Sequence, residues 1–126
     1  MAGPVVQYIV VRGDLVSRLG WPAGALIAQA CHACTAVTHL FRDDVHMQVY
    51  LSDLDNMRKV VLEAENEKSL QELAAKLDEN GVLHKLWIEQ PENIPTCIAV
   101  KPHPKEEIQK YFKKFKLFKG AISGST

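Results

Sequence analysis

Cys31, His32 and Cys34 place a C-x-x-C pair around a histidine in the stretch AQACHACTAV, Ala28 to Val37. Thiols and an imidazole so close together suggest metal binding or thiol redox chemistry, and each needs more than the spacing. A redox pair sets its leading thiol at a helix N-terminus, where free N–H groups lower its pKa. Cys31 falls about nine residues into the helix that Pro22 opens, so that mechanism is lost. A structural zinc site takes four Cys or His ligands in two close pairs, and Cys97, the third cysteine, has no second ligand at such spacing. His32, His39 and His46 recur every seven residues, but that is roughly 10 Å along a helix, too far for one ion. No metal and no cofactor are expected.

Helical phase sorts the same stretch differently. At about 100° per residue, Leu26, Ala30, Ala33, Val37 and Leu40 share one stripe, with Ile27, Cys34 and Phe41 at its margin. That stripe is the expected core face, and Cys34 reads as a small buried hydrophobe. Gln29 and His32 fall on the other side with Ala36 and His39. A polar pair among small residues suits the floor of a site or a face packed close to a neighbour.

Two loops could add chemistry. GDLVSRLGWPAG lies between a strand and a helix, where ligands collect in α/β sheets, and its Trp21 could stack a base or plug the sheet edge. EQPENIPT carries Glu89, Glu92 and Asn93, a source of a carboxylate to orient a general base or simply a solvated hairpin.

The elements that must position these residues follow from pattern. VVQYIVVR (Val5 to Arg12) is a buried strand, and a helix runs from Pro22 or Ala23 to about Phe41. VHMQVYLSDLDNM is a second short helix, and Arg58 to Ala64 a second strand. Asn66 caps a helix with Leu70, Leu73 and Leu77 in phase and Gly81 as its stop. Val82 to Glu89 and Thr96 to Val100 are the third and fourth strands, and Pro104 opens a basic helix through PKEEIQKYFKKFKLF. Helical links make the first three strands parallel by right-handed crossovers; the short QPENIP link makes the fourth antiparallel to the third. The fold class is α/β, a mixed four-stranded sheet with three strands parallel and one antiparallel, and helices on both faces.

Length and composition agree with one domain over residues 1–119 and a flexible tail over 120–126. A chain of 126 residues can bury about two thirds of its unfolded surface without disulfides. Three cysteines and no leader-like start point to a reducing, cytoplasmic setting. Lys plus Arg and Asp plus Glu balance at 15 each, although seven lysines lie between Lys101 and Lys119. No apolar run nears the roughly 20 residues of a membrane span.

VVRGDL, GALIAQACHA, RKVVLEAENEKSL and TCIAVKPHP together resemble the type 2 peptidyl-tRNA hydrolase family, in order and over about Gln7 to Phe118. WPAGALIAQACHA and LWIEQPENI are similar to its divergent eukaryotic branch, the peptidyl-tRNA hydrolase domain-containing proteins. The resemblance implies a three-layer α/β/α sandwich and metal-free hydrolysis of the ester between a peptide and the terminal ribose of a tRNA. By position it carries over Asp14, Gln29, His32 and Thr96, with Glu89 in the place of the family's aspartate after the third strand. His32 then takes the role of base or water positioner, Glu89 orients it, and Gln29 and Thr96 supply hydrogen bonds. The implied partner is peptidyl-tRNA or tRNA, met by Trp21 or the basic C-terminal helix; a homodimer is left open.

One departure is chemical. Where the family has lysines flanking a glycine, this chain has Ala23 and Ala25. Lys59, Lys85 and Lys101 are the candidates to replace that charge in space, and Trp21, Lys59 and Lys101 are the expected substrate contacts. Losing one preorganised charge can cost on the order of 3 kcal/mol, about a hundredfold in rate. The alternative function is a weak or inactive module of the same fold that binds RNA or protein.

Overall fold

A computed structural model describes residues 4–120; the tail expected over 120–126 lies, beyond Gly120, outside the described residues. The chain runs β1 (Val5–Arg12), α1 (Asp14–Ser17), α2 (Ala23–Leu40), α3 (Val45–Leu51), β2 (Lys59–Ala64), α4 (Glu67–Glu79), β3 (His84–Glu89), β4 (Ile94–Val100), β5 (His103–Pro104), α5 (Lys105–Ile108) and β6 (Lys116–Leu117). The sheet order is β3-β4-β1-β2-β6, with β5 paired to the start of β1. It therefore has six strands rather than four, the additions being two residues each. β1 and β2 are parallel, β4 is antiparallel to β1, and β3 is antiparallel to β4. The three strands expected to be parallel do share one direction, although β1 and β4 separate β2 from β3.

Side-chain alternation divides the core into two layers. Val6, Tyr8 and Val10 of β1 pack with Leu70, Leu73 and Leu77 of α4 on one face. Ile9 and Val11 pack with Leu15, Leu26, Val37 and Met47 of α1 to α3 on the other. A strand covered on both faces is largely apolar, which is why VVQYIVVR reads as a near-continuous run; its buried Gln7 is satisfied by Val100 O and Lys59.

Two expectations change. The basic helix stops after Ile108, gives way to a 3-10 turn at Gln109–Tyr111 and ends in β6. Phe112 is buried and stacks on Tyr8, centroids 4.4 Å apart, and Phe118 N–H donates to Val61 O at 2.9 Å. A straight helix would carry these aromatics past the sheet, so tertiary packing overrides local propensity. In α2 the buried stripe is rotated: Gln29 is 3 % exposed, whereas Leu40 and Ile27 are 54 % and 61 % exposed.

A polar knot closes the end of the sheet where β1 starts. Asp44 caps α3 by accepting from His46 and Met47 N–H, and takes Lys101 Nζ at 2.8 Å. Burial opposes ionisation of Asp44, but its bonds from Lys101 and the two N–H groups hold its carboxyl below the usual range. His103 Nδ1 lies 3.0 Å from Lys101 O, and its ring 6.2 Å from that of His46. Burial, then the charges of Lys101 and His46, push His103 down to about 4, against the pull of Asp44.

The folded state thus binds this proton more weakly than the unfolded chain. Its effect is absent above about pH 6.5, and stability falls as pH drops from there toward the folded value, by on the order of 2 kcal/mol after allowing for partial exposure. His103→Asn removes the titrating group. Urea denaturation at about pH 7 and about pH 4.5 is expected to show a smaller loss for the variant; equal losses would assign the acid sensitivity elsewhere.

Candidate active site

A proline inside an interior strand signals a bulge, and Pro95 sits in β4, between β3 and β1. Trp87 pairs with Cys97 and Ile88 with Pro95, leaving Thr96 as the extra residue. Regular alternation would turn Thr96 and Cys97 to opposite faces; the bulge turns both toward α2. Thr96 Oγ1 donates to Gln29 Oε1 at 3.1 Å, and Cys97 Sγ donates to Gln29 O at 3.2 Å. Burial pushes the Cys97 thiol up to about 12, so it stays protonated and able to donate. Gln29 Oε1 is engaged, whereas Nε2 has no hydrogen-bond partner among the described residues and keeps a little solvent contact, although the residue as a whole is 3 % exposed.

The bulge is fastened from the end of β1. Arg12 Nε and NH2 donate to the two carboxylate oxygens of Asp14 at 3.1 and 2.7 Å, and its NH1 donates to Pro95 O at 3.2 Å. Both side chains are nearly buried, at 7 % and 10 % exposure. Asp14 therefore acts on the site through Arg12 and the Pro95 carbonyl. Arg12 had no assigned role in the sequence; an arginine closing an otherwise apolar strand, two residues before an aspartate, is the signal that marks it.

His32 follows Gln29 by three residues and Ala25 precedes it by four, so all three share one stripe of α2. The exposed His32 ring lies on the indole of Trp87, centroids 4.9 Å apart and planes within 22°. Trp87 Nε1 donates to Glu89 Oε1 at 3.2 Å. Glu89 thus reaches the indole, one ring removed from the histidine it was expected to orient. Trp87 is the second residue that sequence reasoning passed over; two rings brought together from a helix and an edge strand leave no local signature.

The expected substrate contacts are dispersed. Trp21 is half-buried against the α2-side core, its backbone N–H donating to Leu15 O at 2.8 Å. Lys59 pairs in register with Gln7, five residues before the Arg12 and Ala64 pair, or about 17 Å along the strand. Its ammonium bonds Gln7 Oε1 and Tyr50 OH. Lys101 is 4 % exposed and tied to Asp44. Both lysines lie at the sheet end away from Thr96 because β2 starts and β4 finishes there. Residues 105–117 follow the α4 face and the β2 edge, whereas His32 and Trp87 lie on the α2 face at the β3 edge. Cys31 is exposed and Cys34 half-buried, neither in a disulfide.

The model of the family described as peptidyl-tRNA hydrolase PTH2 matches residues 5–118. The chain belongs to the PTH2 family. The mouse and human proteins named "Putative peptidyl-tRNA hydrolase PTRHD1" are each 58 % identical over 116 residues, covering 91 % of this chain and 83 % of theirs. A "Peptidyl-tRNA hydrolase" of Thermococcus sibiricus is 32 % identical over 119 residues, covering 88 % of this chain and 95 % of its own. Ala25 lies one turn before Gln29 on α2. Arg12, the buried cation at this end, is committed to Asp14. This PTH2 chain thus has the Gln29 amide and the His32 imidazole on one stripe of α2.

Proposed function

We propose that this chain hydrolyses the ester joining a peptide to the terminal ribose of a tRNA, using side chains alone. The observation that carries the proposal is the Thr96 bulge, which holds Gln29 by its carbonyl and leaves its NH2 group open one turn before His32. A water between them accepts from Gln29 Nε2 and donates to a ring nitrogen of His32. Its oxygen attacks the ester carbonyl carbon while His32 takes its proton. The tetrahedral oxyanion accepts from the Gln29 amide. It collapses with cleavage of the bond to the ribose oxygen, which receives the proton back from His32. The products are the peptide acid, which loses the second proton of the water to solvent as it becomes a carboxylate, and a tRNA with its hydroxyl restored.

Asp14 and Thr96 are positioning residues in this scheme, and Glu89 acts on His32 only through Trp87. Among the described residues, no helix is long and apolar enough to cross a membrane; a cytoplasmic site of action follows from the proposed substrate.

Single-turnover release of peptide from an N-acetylated aminoacyl-tRNA tests the assignment. His32→Ala is expected to slow release by about a hundredfold or more, the usual contribution of a positioned base; an unchanged rate would remove His32 from the chemistry. Ala25→Lys returns an ammonium to the Gln29 stripe and is expected to raise the rate on the order of tenfold. Alanine at position 25 is also what favours the second reading, an RNA-binding module. Salt-sensitive tRNA binding by the wild-type protein, with no release at any protein concentration, would establish that reading instead.

A further inference from the structure

We infer that Trp87 and His32 form a stacking platform for the 3′-terminal purine of the RNA, with the ester lying beyond it over Gln29. The inference rests on the reading of the chain as acting on peptidyl-tRNA. The two rings already lie face to face at 4.9 Å. The bond from Trp87 Nε1 to Glu89 fixes the rotation of the indole, so the lower ring of the stack is anchored. His32 is exposed, with one face on Trp87 and no second ring contact among the described residues. A nucleobase is the ligand that continues such a stack, since single-stranded RNA ends are recognised by splayed bases on aromatic side chains.

The surroundings suit a nucleotide better than an isolated ring. β3 is the outer strand of the sheet, so a chain end can approach from the side without crossing another element. Lys85 stands two residues before Trp87 on the same face of β3; they pair with Ala99 and Cys97, both in the α2-side core. It supplies a cation beside the stack for a phosphate. On the opposite flank of the Gln29 floor, a cavity lined by Asp14, Glu63 and Glu65 has Arg18 as its one cation and repels a phosphate chain. Gln29 and His32 are about 5–6 Å apart at their Cβ atoms, comparable with the span from a purine to its own ribose hydroxyls. Stacking uses the faces of an imidazole and proton transfer uses its edge, so His32 can hold the base and serve the water at once.

The test uses an uncharged acceptor-stem hairpin ending in CCA, with 2-aminopurine as the terminal base, and therefore does not depend on hydrolysis. The full chain is expected to quench the terminal fluorophore and to bind this hairpin on the order of tenfold more tightly than one with an abasic end. His32→Phe and Trp87→Phe, which keep a ring, retain quenching; His32→Ala and Trp87→Leu lose it together with the tenfold preference. His32→Phe separates the two roles of the histidine by keeping the platform and losing peptide release. Quenching that persists in His32→Ala and Trp87→Leu, or equal binding of the abasic hairpin, would overturn the platform even if hydrolysis is confirmed. Ring-dependent quenching without peptide release by the wild type would sustain it and sink the esterase reading.

Discussion

Gln29→Glu is expected to lower the rate of peptide release by about a hundredfold, the typical loss when one preorganised oxyanion donor is removed. The substitution keeps the shape of the side chain and the oxygen that accepts from Thr96, and replaces only the NH2 group. KM should change less than kcat, because the donor matters most as the oxyanion forms. Thr96→Val is the complementary change. It leaves the amide chemically intact but unfastened, so a smaller loss is expected, and it shows in kcat because misplacing a catalytic group costs rate. Steady-state assays of the two variants check both statements; a Gln29→Glu enzyme as fast as wild type would take the amide out of the mechanism.

Asp14→Ala is expected to destabilise the protein by about 3 kcal/mol, because it leaves the nearly buried Arg12 guanidinium with only the half-exposed Glu67 carboxylate at 3.6 Å as a counter-charge. The bidentate bonds at 3.1 and 2.7 Å are the main contacts that offset the cost of burying that charge, with Glu67 contributing from 3.6 Å. Removing both partners, as in Arg12→Met with Asp14→Leu, should recover much of the loss in urea denaturation, since an apolar pair carries no desolvation penalty. Activity should not recover with it. Arg12 NH1 also holds the Pro95 carbonyl, and without that bond the bulge beneath Gln29 loses its clamp. A double variant that regains both stability and rate would mean that the ion pair serves the fold alone.

The parts of this architecture that depend on neighbours in sequence were readable from sequence. β1 is a predominantly apolar, β-branched stretch over Val5–Arg12; α4 has a capping Asn66, whose side chain accepts from Ser69 N–H, and ends before Gly81 at φ 66°. What depends on contacts far apart in the chain was not. The lysine-rich segment after Pro104 has helix-forming residues, yet the demand of Phe112 for Tyr8 and of β6 for β2 breaks it up. Gln29 was assigned to the polar side of α2 by phase, but two hydrogen bonds from β4 draw it into the core. Pro95 was the available warning that β4 carries a bulge, and taking the strand to begin at Thr96 passed over it. For the site, the resemblance carried Gln29, His32, Thr96 and Asp14 by position. Their arrangement, with Arg12 under Thr96 and Trp87 under His32, arises only when β1, α2, β3 and β4 come together.

In the proposed reaction Gln29 and His32 serve one water on one ester. A double-mutant cycle of single-turnover peptide release across wild type, Gln29→Glu, His32→Ala and the double variant tests it most directly. Groups acting on the same step are strongly non-additive, so the double variant is predicted to be about as slow as the slower single variant. Losses that multiply, or a wild-type rate no faster than spontaneous ester hydrolysis, would contradict the account.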